Sequence, residues 1–253
     1  MLRPRVIACL LLSDGGLVKT RRFKNAAYIG DPHNAIRIFN EKEADELIVI
    51  DISATKKDRG PDFALIEQFA SECFMPVTYG GGIHSLTAAS QLFSLGVEKV
   101  CMQSAAFQSP QLITDVAARY GSQAVVSAVD VKGGDRGRPK LRWDKWWKHH
   151  GDWLSWIRKA QELGAGEILL TDVDREGTLA GVNLDLISAA SSSVEIPVIA
   201  NGGIRNKQDI KLALGAGASA VAAGSLFVFY GPHRAVLITY LGQDDFAYLG
   251  AES

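Results

Sequence analysis

Two sixteen-residue stretches, DELIVIDISATKKDRG at residues 45–60 and GEILLTDVDREGTLAG at residues 166–181, decide the fold of this chain. Each begins with a short apolar run, which predicts a buried strand, and continues into a polar segment that is typical of a loop. Glu46 and Glu167 occupy the same place in the two stretches and lie 121 positions apart. The chain therefore contains two copies of one structural unit.

The same offset persists through strands, turns and helices outside the two stretches. It relates Asp51 to Asp172, Pro76 to Pro197, Gly81 to Gly202, Gly82 to Gly203, Gly96 to Gly217 and Ser104 to Ser225. Chance would not keep one spacing through so many different elements. We predict two half repeats, about 1–120 and 121–235, followed by a variable C-terminal tail.

Eight apolar runs alternate with amphipathic segments along the chain. The runs are RVIACLLL (5–12), DELIVIDI (45–52), PVTYGGG (76–82), KVCMQS (99–104), QAVVSAVDV (123–131), EILLTDV (167–173), PVIANGG (197–203) and AVAAGSLF (220–227). This alternation predicts an α/β fold, and two equal halves of four strands each favour a closed (β/α)8 TIM barrel. We expect one barrel domain over residues 1–253, with an open, doubly wound sheet as the alternative.

Composition excludes several classes of function. The net charge of −1 gives no support to a nucleic acid or an anionic membrane as the main partner. The sequence contains no apolar run of about 18 residues that would span a membrane. The three cysteines, Cys9, Cys73 and Cys101, are an odd number in a long chain, which favours reduced thiols and a cytoplasmic location.

Glycine and serine residues end strands at corresponding places in the two halves, where barrel enzymes carry their active sites. A glycine turn lets backbone N–H groups approach an anion, and the following helix adds its N-terminal dipole. We predict two phosphate pockets and hence a bisphosphorylated ligand, with plain tight turns as the alternative. The residues are Gly81, Gly82, Gln103 and Ser104 in one half and Gly202, Gly203, Gly224 and Ser225 in the other.

The first strands of the two halves align at an offset of 119. VIACLLLSDGG (6–16) lies beside VVSAVDVKGGD (125–135), which pairs Leu11 with Asp130. A carboxylate at the end of a barrel strand is a candidate general acid or base, and a capping role is the alternative for Asp130. One half thus carries a candidate catalytic aspartate where the other half has leucine.

The glycine turns, the half repeat and the segments SAVDVK, GAGEILLTDVDREGT and AAGSLF resemble the cyclase subunit (HisF) of imidazole glycerol phosphate synthase. The resemblance runs from about Arg5 to Phe229. It implies that a HisH-type glutaminase binds the N-terminal face of the barrel and that ammonia crosses the barrel. It also implies that a phosphorylated small molecule reacts at the C-terminal face. We expect no cofactor, and no metal site either, because His149 and His150 have no further ligands at a suitable spacing.

The resemblance assigns roles to individual residues as well. In the family, aspartates at the ends of the first and fifth strands act as acid and base. Asp130 matches the second aspartate, whereas Leu11 occupies the place of the first. Asp14, in the following turn, is a candidate substitute. Because leucine cannot transfer a proton, we expect the histidine-pathway reaction to be very slow in this chain.

Four charged residues match the ring that closes the ammonia passage in that family. Charges in a barrel mouth are costly unless they pair, and two cations with two anions permit pairing, whereas solvated strand ends are the alternative. The four residues are Arg5, Glu46, Lys99 and Glu167.

The sequence CLLL further resembles HisF paralogues associated with surface polysaccharides, in which a third protein uses the ammonia to make an acetamidino sugar.

The favoured interpretation is a HisF-type subunit that delivers ammonia to such an amidotransferase or synthetase on its C-terminal face. A working cyclase of histidine biosynthesis and a non-catalytic scaffold that activates the glutaminase are the alternatives.

All five tryptophans lie in LRWDKWWKHHGDWLSW (141–156). We expect Trp156 in the core. The remaining basic and aromatic residues predict either a loop that binds a partner or a sugar, or a lid on the barrel: Trp143, Lys145, Trp146, Trp147, Lys148, His149 and His150.

Overall fold

The computed structural model describes residues 3–133, 139–142 and 152–250. With strands numbered along the chain, its eight parallel barrel strands are β1 (Arg5–Ser13), β4 (Glu46–Asp51), β5 (Val77–Gly80), β6 (Lys99–Met102), β7 (Val125–Gly133), β9 (Glu167–Asp172), β10 (Val198–Asn201) and β11 (Ala220–Ala223). They pair in chain order, and β11 pairs with β1 so that Ile7 lies beside Ala222. The (β/α)8 barrel is confirmed, and the open-sheet alternative is wrong.

Short antiparallel strands extend the sheet beyond the carboxyl ends of the barrel strands. A hairpin of β2 (Gly16–Arg21) and β3 (Lys24–Gly30) continues from β1. β8 (Pro139–Leu141) pairs with the end of β7. A separate two-stranded ribbon is formed by β12 (Phe229–Tyr230) and β13 (Ala235–Val236).

The described helices alternate with the barrel strands and turn their apolar sides to the core. They are α1 (Pro32–Glu41), α2 (Phe63–Ala70), α3 (Leu86–Ser94), α4 (Ser104–Gln108), α5 (Gln111–Tyr120), α6 (Trp153–Glu162), α7 (Leu184–Ser191), α8 (Lys207–Gly215), α9 (Ser225–Val228) and α10 (Gln243–Gly250), with 3-10 turns at Thr55–Lys57 and Ser122–Ala124. Six of these helices begin at a side chain that accepts a hydrogen bond from the backbone N–H three residues ahead, which satisfies a free donor of the first turn. The caps are Asp31, Asp62, Ser85, Asp152, Asn183 and Asn206.

The apolar core has two parts. The larger one lies between the strands and the helices and includes Trp156, which is fully buried and stacks on Phe107 with ring centroids 4.2 Å apart. The expectation that Trp156 belongs to the core is therefore confirmed. A smaller cluster fills the barrel itself. None of the described helices combines the length and apolar character that a membrane span requires.

Backbone geometry repeats at the same offset of 121 as the sequence. Gly81 and Gly202 have φ angles of 109° and 103°, and Gly82 and Gly203 have φ angles of 69° and 89°. These left-handed conformations favour glycine. Asp51 and Asp172 each accept hydrogen bonds from the backbone N–H groups two and three residues ahead. The two halves therefore use one design for the loops at the barrel mouth, while the boundaries of the half repeats stay a prediction.

Candidate functional site

A cavity of about 390 Å³ opens at the carboxyl ends of the barrel strands. Asp130 of β7 and Leu11 of β1 both line it, together with Gln103, Thr171 and Asn201. Because β1 and β7 lie four strands apart in the eight-stranded ring, Leu11 and Asp130 face the cavity from opposite walls. The structure thus brings together the two positions that the half repeat pairs.

Asp130 is placed to exchange protons near neutral pH. Burial raises the pKa of its carboxyl to about 6, against the effects of a hydrogen bond with Gln103 and the positive charge of Arg142. The negative charge of Glu176 raises this pKa further, and a hydrogen bond with Thr171 lowers it. A general acid or base works best when its pKa lies close to the working pH. The environment of Asp130 suits a general acid or base, and its catalytic role stays a prediction.

Asp14 does not supply the carboxylate that is missing at position 11. Leu11 is 8% exposed and presents only a hydrocarbon surface to the cavity. Asp14 does not line that cavity; its exposed carboxylate binds Lys57 and lies 3.4 Å from Arg59. The hydrogen bond from Lys57 lowers the pKa of Asp14. Its position therefore excludes Asp14 as a substitute in this conformation.

The first set of predicted phosphate-binding residues lies at one side of the cavity. Gly81, Gly82, Gln103 and Ser104 all line it. A Cβ atom added to Gly81 would lie 2.3 Å from the carbonyl oxygen of Asp51. The tight approach of two backbones alone thus requires glycine at position 81, in agreement with the plain-turn alternative. A role in phosphate binding stays a prediction for these four residues.

The second set lines a smaller, neighbouring recess, which Gly202, Gly203, Gly224 and Ser225 share with Lys19. The buried hydroxyl of Ser225 has no hydrogen-bond partner in the described part of the chain. Buried polar atoms seldom go without a partner. An anion in this recess would give the Ser225 hydroxyl an acceptor, which is an independent reason to keep the phosphate prediction here.

A buried ion pair at the edge of this recess was not predicted from the sequence. Lys19 on β2 donates to one carboxylate oxygen of Glu176, and the hydroxyl of Thr20 donates to the other at 3.0 Å. The ammonium nitrogen of Lys19 lies 3.0 Å from where a Cβ atom on Gly224 would stand. A single lysine in a hairpin is usually solvated, so nothing in the sequence distinguished Lys19 from other surface lysines.

At the opposite end of the barrel, four charged side chains form a closed ring of alternating sign. Arg5 contacts Glu46 and Glu167 at 2.7 Å each, and Lys99 contacts the same two carboxylates at 3.2 and 3.0 Å. Burial opposes the charge of Arg5, but hydrogen bonds to Glu167 and Glu46 outweigh it and raise the Arg5 pKa. The four residues are therefore paired with one another instead of separately solvated. Their role in passing ammonia stays a prediction.

The aromatic loop falls outside the described residues. This applies to all seven residues predicted to form it, Trp143, Lys145, Trp146, Trp147, Lys148, His149 and His150. The flanking parts of the segment are described. Strand β8 ends at Leu141 and is followed by Arg142, and α6 begins at Trp153, which is buried.

Comparison with known proteins extends over nearly the whole chain. Residues 5–233 match the family model described as "Histidine biosynthesis protein". A Pseudomonas aeruginosa protein, provisionally named imidazole glycerol phosphate synthase subunit hisF2, is 49% identical over 242 residues, which cover 95% of this chain and 96% of that protein. A Leptospira interrogans protein, provisionally named subunit HisF, is 46% identical over 252 residues, with 97% and 98% covered. A Vibrio vulnificus protein, provisionally named subunit hisF3, is 45% identical over 245 residues, with 95% and 94% covered. The chain therefore belongs to the histidine biosynthesis protein family, within its HisF branch of imidazole glycerol phosphate synthase subunits.

Proposed function

We propose that this chain is the synthase subunit of a glutamine amidotransferase complex and conducts ammonia from a HisH-type glutaminase to its C-terminal cavity. In the most specific form of the proposal, a third protein on the C-terminal face uses the ammonia to amidinate a surface-polysaccharide sugar. One contrast carries the proposal. The ring at the N-terminal end is complete, with all four ion pairs between 2.7 and 3.2 Å, whereas Leu11 leaves the opposite end with Asp130 alone of the expected acid and base.

The interior of the barrel suits ammonia in its neutral form. It is lined by apolar side chains and by the thiols of Cys9 and Cys101, which also line the cavity. Burial raises the pKa of Cys9 to about 11 and raises that of Cys101 as well, so both thiols are uncharged at neutral pH. An ammonium ion would lose its hydration here without gaining a counter-charge, which is costly, whereas neutral ammonia avoids that cost.

The ring closes the N-terminal end of this interior in the isolated chain. Passage of ammonia therefore requires one or more of the four ion pairs to open. Lys99 is the weaker member, since its contacts with the glutamates are longer than those of Arg5. We expect the glutaminase to bind over the ring and to displace Lys99, while Arg5 continues to neutralise Glu46 and Glu167.

A working cyclase of histidine biosynthesis is the second candidate function. Two observations favour it, because both suit a site that handles a phosphorylated ligand: the Asp130 pKa of about 6, and a buried Ser225 hydroxyl with no partner among the described residues. Leu11 argues against it, since loss of one member of an acid and base pair typically costs about 10² to 10⁴ in rate. A non-catalytic scaffold that only activates the glutaminase is the third candidate.

Turnover of the histidine-pathway bisphosphate with ammonium salt separates the first two candidates. We expect the wild-type chain to react very slowly and Leu11→Asp to react faster, because the substitution restores a carboxylate opposite Asp130. The double variant Leu11→Asp with Asp130→Asn is the matched control and should lose the gain. Wild-type turnover of about 1–10³ per second would contradict the proposal that the chain only conducts ammonia to a third protein, and would favour the cyclase.

A further inference from the structure

Arg142 and the candidate acid or base, Asp130, are joined through their backbones and line the same cavity. Arg142 follows β8, the short strand that folds back along the end of β7. Its backbone N–H donates to the carbonyl oxygen of Asp130 at 2.9 Å, and its half-buried side chain lines the cavity. Nothing in the sequence pattern singles out Arg142, because no local signal predicts that β8 pairs with the end of β7.

The guanidinium group of Arg142 rests on the tip of the β2–β3 hairpin. Its central carbon lies 4.4 Å from the ring centroid of Phe23, a distance typical of a cation–π contact. Arg22 and Phe23, which form the two-residue turn, have φ angles of 53° and 61°. Such turns normally use asparagine or glycine, and a bulky residue in this conformation is strained by about 1 kcal/mol or more.

Contacts on both sides hold this strained tip over the barrel mouth. The Arg22 backbone N–H donates to the carbonyl oxygen of Glu176 at 2.9 Å, and its side chain donates to the carbonyl oxygen of Asp174 at 2.9 Å. Phe23 stacks on Arg142 from the other side. Strain of this kind persists only where surrounding contacts compensate for it. The contacts with Glu176, Asp174 and Arg142 therefore explain why Arg22 and Phe23 occupy this strained turn.

The charges around Asp130 give Arg142 a definite electrostatic role. The polar neighbours on β9 and after β6 are Thr171 and Gln103, and Glu176 follows β9. Lys19 of the hairpin neutralises Glu176, and Cys9 and Cys101 below are uncharged thiols. Leu11 adds no charge from the opposite wall. Among the described groups that act on Asp130, Arg142 is the cation.

We propose that Arg142 is a positioning residue, the counter-charge that keeps Asp130 ionised at the barrel mouth, and that Phe23 holds the Arg142 guanidinium in place. An ionised Asp130 can accept a proton from a nitrogen compound in the cavity, whereas a protonated one cannot. This inference does not depend on the proposed passage of ammonia or on the identity of its acceptor.

The test is a titration of the Asp130 carboxyl by carbon-13 NMR in the full-length chain labelled at aspartate, with Asp130→Asn to identify the resonance. The wild-type midpoint should lie at about 6. In Arg142→Gln we expect a midpoint about one pH unit higher, because an opposite charge at close range favours the ionised carboxyl. Arg142→Lys keeps the charge but not the planar stacking group, so its midpoint should lie between those two.

Two further variants make the test specific. Lys56 also lines the cavity but is not among the groups that act on Asp130, so Lys56→Gln should leave the midpoint unchanged. Phe23→Leu keeps an apolar cover over the mouth but removes the ring, and should raise the midpoint by less than Arg142→Gln does. An unchanged midpoint in Arg142→Gln with a native backbone spectrum would overturn the proposal. An equal rise in Lys56→Gln would also overturn it, since any cavity cation would then have the same effect.

Discussion

Replacing Lys99 with methionine removes one positive charge from the ring at the N-terminal end of the barrel but keeps the length of the side chain. Lys99 contacts Glu46 and Glu167, whose side chains are only 7% and 8% exposed. Removing one partner of a buried ion pair costs about 3–5 kcal/mol. Because Arg5 still contacts both glutamates and Lys99 is itself 17% exposed, we expect a smaller loss of about 1–3 kcal/mol in the free energy of unfolding.

Urea unfolding at neutral pH measures this loss. Lys159→Met is the matched control, because Lys159 lies 3.2 Å from Glu162 on the surface, where the two side chains are 54% and 64% exposed. An exposed pair contributes little, so the control should change the free energy of unfolding by less than about 1 kcal/mol. If Lys99→Met cost no more than the control, the ring would consist of solvated charges and the argument from pairing would be wrong.

Three further predictions concern the C-terminal face. Because the pKa of Asp130 is raised to about 6, the folded chain binds this proton more tightly than the unfolded chain does, and stability falls as pH rises from about 4 to about 6. Asp130→Asn should therefore stabilise the protein by up to about 3 kcal/mol at pH values above about 7 and lose that advantage at about pH 4 in urea unfolding. Ser225→Ala should weaken binding of inorganic phosphate at the second recess by about 2- to 10-fold in calorimetry. Crystals grown with sulfate in which both glycine turns were empty would count against the two phosphate pockets. Gly203→Ala should destabilise the chain by more than about 1 kcal/mol, because its Cβ atom would lie 2.1 Å from the carbonyl oxygen of Gly181 at a φ of 89°; a thermal unfolding midpoint equal to that of the wild type would contradict this.

The barrel was predictable from the sequence because the half repeat is a long-range signal that needs no knowledge of side-chain contacts. The paired glutamates at positions 46 and 167 fixed the register of the two halves, and they now face each other across the ring through Arg5 and Lys99. The sequence also placed glycine turns at the ends of the predicted strands, where the structure has them. Each of these inferences used backbone period and position alone.

The contacts that the sequence did not reveal join residues far apart in the chain. Lys19 meets Glu176, and Phe23 meets Arg142, only because the β2–β3 hairpin folds over the barrel mouth. The turn at Arg22 and Phe23 lacks the asparagine or glycine that normally indicates a two-residue hairpin, so local turn rules could not locate it. The shape of this hairpin depends on tertiary contacts instead of local preference.

The most direct test of the proposed ammonia passage uses the complex reconstituted with the glutaminase and with the third protein that is proposed to amidinate the sugar. Glutamine labelled with nitrogen-15 in its amide group is supplied together with excess unlabelled ammonium, and the label in the amidinated product is measured. Passage through the barrel predicts a product that carries mostly the glutamine label, with the label diluted in the Lys99→Met complex while glutamine hydrolysis continues. A wild-type product with the label content of the bulk ammonium pool would contradict the proposal, because the ammonia would then have travelled through solvent.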